Sequence, residues 1–439
     1  MDILFLEIDT EKEWAVCSLG PAFLAPVGRR RGHQVDMIRI PEDQDLEKTV
    51  SEILKRSPDL IGMSMTTRQW LRGRDLANAL RAAGGPPVLA GGLHATFSPE
   101  EVLTNPGFDA VCLGEGEVPF AAVLEHLEDG GTLVDAAIQN IWVKGGRHPG
   151  LGPPVPEIDT IPFMARDMLD ERYGVVHMTT QRGCPFPCTY CAARMYDQLY
   201  DGIGKYGRRR SIESVVTELE QIREQDQLSY VIFLDDTFTI NHPWVYEFCE
   251  VFPKRVGVGF SIHARAETVK PKMIQDLAAA GCKHIVYGVE SGSERVRREI
   301  MKRPVTNDRL VEIFDATKDA GIMVTCNYMM GVPGETPEDL QATIDLHHRL
   351  QPFDFGYFVF YPFPGTPLFQ TCRQQGLLPD NWQDLPARHD QSILKLPDLS
   401  PQDLKETFAK WTAIRDRAYT ARDAAARAMT PMPAQASAC

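Results

Sequence analysis

The chain has 439 residues, more than one ordinary hydrophobic core accommodates, so two domains, or one domain plus a barrel, are expected. Hydrophobic residues make up 43% and charged residues 24%, the balance of a soluble globular protein, and no apolar run reaches the roughly 18–20 residues that span a bilayer. The formal net charge of -14 speaks against a nucleic-acid substrate; the best basic run, Arg208-Arg209-Arg210, reads as a solvated loop before a helix.

The first residues, Met1-Asp2-Ile3-Leu4-Phe5-Leu6-Glu7, are too few and too acidic for a signal peptide, and they read as a buried strand of a cytoplasmic protein. Further strands are predicted at 35–40, 60–65, 88–90 and 110–113, with helices at 19–31, 46–56, 71–83 and 118–127 between and after them. Strand-helix alternation of this kind gives a parallel sheet covered on both faces. Ligands bind such sheets at the carboxyl ends of the strands. Three segments follow strands there: Ser64-Met65-Thr66-Thr67, Gly91-Gly92-Leu93-His94-Ala95-Thr96 and Gly114-Glu115-Gly116-Glu117. Gly91, Gly92 and Gly114 would let backbone approach a bulky ligand. Residues 145–162 hold Gly145-Gly146, Gly152-Pro153-Pro154 and Pro156 and read as an interdomain linker.

A second series follows. Its strands are predicted at 175–180, 230–234, 256–262, 284–289, 322–330 and 355–361, with helices at 212–225, 244–252, 273–280, 308–320 and 337–350. The last of these starts well, with Thr336 as N-cap, Pro337 at the first position and Glu338 and Asp339 in the first turn. Six such strands suggest a beta/alpha barrel that is not fully closed, with its chemistry at the carboxyl ends of the strands. From about residue 400 the chain is helical and charged; from 424 it turns Ala-, Pro- and Ser-rich and reads as disordered at its end.

The chain has ten cysteines, and in a cytosolic protein they suggest metal or reactive roles ahead of disulfides. Three of them cluster, in Gly183-Cys184-Pro185-Phe186-Pro187-Cys188-Thr189-Tyr190-Cys191, just after the first barrel strand. Thiolates are soft ligands suited to iron-sulfur clusters. Three of them can hold three irons of a cubane and leave the fourth open to an amine and a carboxylate. A structural zinc site needs a fourth ligand, and no Cys or His stands at finger-like spacing.

The spacing Cys184-x3-Cys188-x2-Cys191, with Tyr190 before the last cysteine, resembles the signature of the radical S-adenosylmethionine (SAM) superfamily, over about residues 173–369. The resemblance implies a [4Fe-4S] cluster on Cys184, Cys188 and Cys191, with SAM chelated at the open iron and cleaved on reduction to a 5′-deoxyadenosyl radical. It implies a place for Tyr190 at SAM, and for Asp235 or Asp236, after the second strand, at the SAM amino group. Arg265 resembles an arginine that pairs with the SAM carboxylate; the alternative is a surface salt bridge with Glu267. Glu290, in Tyr287-Gly288-Val289-Glu290-Ser291-Gly292-Ser293, resembles the acceptor of the SAM ribose hydroxyls, and the loop opened by Gly331 resembles the one beside adenine. Tyr361-Pro362-Phe363-Pro364-Gly365-Thr366 would shape the substrate mouth.

Residues 1–145 resemble the Rossmann-like B12-binding domain of the cobalamin-dependent branch. That resemblance implies cobalamin at Ser64, Thr66, Gly91, Gly92, His94, Gly114, Glu115 and Gly116. The motif by which cobalamin mutases supply a histidine to cobalt is absent, so His94 is either a cobalt ligand or an ordinary hydrogen-bonded loop histidine. The whole chain then reads as α/β: a B12-binding-type domain at 1–145, a linker at 146–172, a partial (β/α)6 radical SAM barrel at 173–370 and a helical C-terminal region at 371–439. The expected activity is cobalamin-dependent methylation of an unactivated carbon on a small or lipid-like molecule, fed by an electron donor such as flavodoxin or ferredoxin. The alternatives are a cobalamin-containing oxidative cyclase, a cobalamin-free dehydratase or epimerase, and a non-enzymatic cobalamin or redox sensor. No catalytic side chain beyond these ligands is legible.

Overall fold

The computed structural model describes residues 1–9, 19–169, 171, 173–225 and 228–429. The N-terminal sheet contains β1 (Asp2–Ile8), β2 (Gln34–Ile40), β3 (Leu60–Ser64), β4 (Val88–Gly91), β5 (Ala110–Cys112) and β6 (Ile141–Val143), in the order β2-β1-β3-β4-β5-β6. The first five are parallel, and β6 returns antiparallel to β5. Six of the seven β1 residues are buried, as a strand covered on both faces requires. The strand order reverses between β1 and β3, and the carboxyl ends at such a switch point leave a crevice.

The predicted linker is not a free tether. Met164, Ala165, Met168 and Leu169 are buried in the same core as Ile3, Phe5 and Phe120 of the first domain. Asp167 is bonded to Arg29 at 2.7 Å. Apolar residues at 164, 165, 168 and 169 are spaced to cover one face, and that spacing was outweighed in the sequence by the neighbouring glycines and prolines.

The second sheet contains β7 (Val175–Met178), β10 (Tyr230–Phe233), β11 (Gly259–Ala264), β12 (Cys282–Glu290), β13 (Met323–Met330) and β14 (Asp354–Val359), all parallel and in chain order from one edge to the other. Side chains alternate: Val324, Cys326, Tyr328 and Met330 are buried against the outer helices, while Thr325, Asn327 and Met329 face the concave side. A two-stranded ribbon, β8 (Gln181–Arg182) with β9 (Arg208–Arg209), stands between the two sheets. The helix Pro401–Met429 closes the outer side of β13 and β14, where Trp411 is buried and stacks on Tyr328 at 4.7 Å. It runs on through 424–429, which the composition had given to the disordered end; residues 430–439 lie outside the described residues. Among the described residues no helix is long and apolar enough to cross a membrane.

The arginine run is a correction. Arg208 pairs with Glu115 of the first domain, Arg209 lies over Trp244 at 4.3 Å, and Arg210 is buried against Glu218 at 2.6 Å. Arg208 is spent on the contact between the domains, Arg209 on the packing of the ribbon against Trp244, and Arg210 on Glu218 of the helix Ile212–Gln225. They form no solvated loop.

Candidate functional site

The cysteine loop leaves β8 at Gly183, whose φ of +85° and closeness to Tyr206 suit glycine. It ends where Cys191 caps the helix Ala192–Leu199, an element the sequence did not signal. Cys188 is buried, Cys184 and Cys191 are half-buried, and none is in a disulfide. Burial pushes the Cys184 thiol up and takes that of Cys191 to about 12. The site therefore favours thiols until a metal displaces the protons. The donor set, three sulfurs on one short loop with no carboxylate among them, fits an iron-sulfur cluster.

Around the loop stand the carboxyl ends of the barrel strands. Asp235, after β10, is buried and fully engaged: it accepts from Thr180 N at 2.7 Å, Thr180 Oγ1 at 2.6 Å and Gln181 N at 3.0 Å. It ties β10 to the end of β7. Asp236 is exposed to solvent yet near enough to the cysteine loop for its charge to act on Cys184 and Cys191, and its protein surroundings together with Asp235 raise its carboxyl to about 6. Of the two, Asp236 is the carboxylate left to meet a ligand.

Arg265, after β11, lies 2.9 Å from Cys188 Sγ and over the Phe186 ring at 3.9 Å. Its partner at 2.7 Å is Glu267; Arg265 is buried and Glu267 half-buried, so this is not a surface bridge. Glu290 closes β12 with a φ of +69°, a costly conformation for a side chain-bearing residue. Burial raises its carboxyl against the pull of Arg303, which it holds at 3.0 Å. Arg303 also reaches Tyr190 Oη at 3.2 Å. Arg303 went unnoticed in the sequence because it lies in a turn, thirteen residues past Glu290, with no motif of its own. Gly331 is buried, donates its N–H to Glu335 Oε2 at 2.6 Å and has Leu404 and Val359 over its Cα. Gly365 sits where the two domains meet, its Cα against Met195 and Phe97.

In the first domain a cavity of ≈ 290 Å³ opens between the sheet and the helix Leu19–Arg30, at the switch point. Ser64, Gly91, Gly92, Gly114, Glu115 and Gly116 line it. Its other walls are mostly apolar, with Phe5, Phe23 and Phe120 among them, and across the domain boundary it meets Arg182, Tyr196 and Tyr206. Tyr196 and Tyr206 stack at 4.9 Å. A slot of this volume and lining fits a flat aromatic base such as that of a detached corrinoid nucleotide tail. Glu115 is held by Arg182 at 3.1 Å and by Arg208; burial works to raise its carboxyl, but these cations outweigh it and hold it below the usual range. Glu115 is thus a bolt between domains as well as a wall.

Thr66 and His94 are not among the lining residues. Thr66 caps the helix Thr67–Ala82 in a reciprocal pair with Gln69. The segment 92–97, expected as a loop, is a short helix that turns His94 away into the core. His94 stacks on Trp70 at 4.5 Å, 2% exposed. Burial lowers its pKa from 6.5 to about 3. The folded protein thus refuses a proton that the unfolded chain accepts. The contribution of His94 to stability is present in full above about pH 6.5 and is lost as pH falls toward 3, at about 1.4 kcal/mol per unit. Between pH 7 and pH 5 the wild type should therefore lose about 2 kcal/mol more than a His94→Gln variant, measured by denaturant unfolding of both at each pH. Equal losses would show that His94 does not titrate in this way.

Residues 178–347 match the radical SAM superfamily and residues 16–124 match the B12 binding domain. An uncharacterized methyltransferase of Pyrococcus horikoshii is 29% identical over 409 residues, covering 89% of this chain and 86% of its own. The cytidylyl-2-hydroxyethylphosphonate methyltransferase of Streptomyces wedmorensis is 26% identical over 432 residues, with 86% and 79% covered. Among solved structures, the radical S-adenosylmethionine methyltransferase TsrM of Kitasatospora setae, with cobalamin and a [4Fe-4S] cluster bound, superposes with a TM-score of 0.69. It covers 93% of this chain and 85% of that one at 18% identity, a likeness of fold.

Proposed function

We propose, from the match of residues 178–347 to the radical SAM superfamily and of residues 16–124 to the B12 binding domain, that the chain is a cobalamin-dependent methyltransferase of an unactivated carbon on a small or lipid-like molecule. The observation that carries this reading is the placement of two sites at one boundary. The apolar slot of the first domain opens toward Arg182 and Tyr196, and Tyr196 lies on the helix that Cys191 caps. The curated relatives named as methyltransferases support it.

When bound, the cluster supplies an electron to SAM and cobalamin supplies a methyl carrier. The residues of the chain do the rest. Cys184, Cys188 and Cys191 hold the cluster. Asp236 receives the SAM amino group, and Glu290 accepts from the ribose hydroxyls. Arg265, 2.9 Å from Cys188 Sγ, would pair with the SAM carboxylate. Arg182, Tyr200 and Glu115 hold the domains together, Tyr200 Oη accepting from Glu115 N at 2.7 Å.

Anaerobic reconstitution with iron, sulfide and cobalamin, followed by reduction with SAM present, tests the reading. Both 5′-deoxyadenosine and S-adenosylhomocysteine are expected, the first from radical formation and the second from methyl donation. Formation of 5′-deoxyadenosine by a protein that takes up no cobalamin and makes no S-adenosylhomocysteine would replace the methyltransferase with a cobalamin-free hydrogen-abstraction enzyme, such as a dehydratase or epimerase.

A further inference from the structure

Five charged or phenolic side chains, Arg265 and Arg303 buried and the other three half-buried, form one connected chain beneath the cysteine loop. Arg265 touches Cys188 Sγ and Glu267; Glu267 faces Arg303 at 3.6 Å; Arg303 reaches Glu290 at 3.0 Å and Tyr190 Oη at 3.2 Å. Arg303 is 3% exposed and donates a further bond to the carbonyl of Gly288 at 2.8 Å. Its Nε is buried with no partner. The residue before it, Lys302, takes a φ of +56°, so the backbone is strained on both sides of the pair, at Glu290 and at Lys302. A side chain on Gly288 would meet Glu290 Oε1 at 2.6 Å and Arg303 Nη1 at 2.9 Å, so glycine is what admits the pair.

We infer that Arg303 is the positioning residue of the SAM ribose site: it clamps the Glu290 carboxylate against β12 and ties it to Tyr190, so that one arginine sets the ribose acceptor relative to the cluster loop. The inference rests on the reading of Glu290 as the ribose acceptor. Arg303 touches neither the cysteines nor open space, and its guanidinium has the planar fork that can hold a carboxylate and a carbonyl at once. A lysine would keep the charge and lose the fork.

The test measures binding of SAM and of S-(2′-deoxyadenosyl)methionine to the reconstituted full-length protein by calorimetry, with iron content determined on each sample. In the wild type, removing the 2′-hydroxyl should weaken binding about tenfold or more, the range for a hydrogen bond to a charged group. Arg303→Met should keep its iron, bind SAM at least about tenfold more weakly and lose the discrimination, its two affinities becoming equal. Arg303→Lys should fall between. Equal weakening of both ligands in Arg303→Met, with the wild-type ratio preserved, would make Arg303 a merely structural residue and overturn the inference. Should the Met variant fail to fold, an unchanged ratio in Arg303→Lys overturns it equally. Glu290→Gln separates the two claims. If that variant keeps wild-type affinity and discrimination, the ribose reading of Glu290 itself fails; if it loses both while Arg303→Met keeps them, only the role of Arg303 fails.

Discussion

Replacing Cys184, Cys188 and Cys191 together with alanine should leave the anaerobically reconstituted protein without a cluster, its iron falling from about four per chain to background and its thiolate-to-iron absorption lost. Each single replacement should have the same result. The three thiols sit on one loop held at both ends, by the ribbon at Gly183 and by the helix that Cys191 caps. No other cysteine is near in sequence to take over, since the next along the chain is Cys249, on the helix His242–Arg255. Cys249→Ala should therefore leave the iron content unchanged. A full cluster in the triple variant would remove the premise on which every other statement about SAM rests.

The cluster loop was legible because its chemistry is local. Three soft ligands within eight residues, straight after a strand, carry their meaning in the spacing alone. The strand-helix alternation was legible for a related reason: buried parallel strands and amphipathic helices differ in period, and each spans enough residues to declare it. What stayed hidden was set by tertiary partners. Asp235 and Asp236 are indistinguishable as letters; Thr180, 55 residues away, engages the first and leaves the second. β6 has only three residues and is a strand because β5 offers it an edge. β8 and β9 have two residues each, and the ribbon they make spends arginines that look like a surface patch. His94 follows two glycines at the end of a strand, which is how a ligand loop looks, but the chain turns helical at Gly92 and carries the imidazole into the core.

The glycine pair itself carries the second large effect. Gly92 has a φ of +85°, and a Cβ there would stand 2.8 Å from both Met65 N and Met65 O. It is glycine because backbone of the next strand end lies against it, so Gly92→Val should damage the first domain whether or not cobalamin binds there. Gly91 is different. Its φ of -145° and ψ of -172° suit any residue, and a Cβ there meets nothing within 4 Å. The space it faces is the ≈ 290 Å³ slot. Gly91→Phe should then fold with an unchanged melting temperature, keep its cluster and its SAM affinity, and lose cobalamin, with affinity falling at least about a hundredfold as the ring fills the slot the nucleotide base needs. The optical spectrum after incubation with cobalamin and desalting reads this directly, against the cluster absorption of the same sample. 5′-Deoxyadenosine formation should persist in the variant while S-adenosylhomocysteine formation ceases, because only methyl donation requires the corrinoid. Wild-type cobalamin occupancy in Gly91→Phe would mean that the slot between the sheet and the helix Leu19–Arg30 is not where the tail enters, and the cobalamin site would have to be sought elsewhere on the domain boundary.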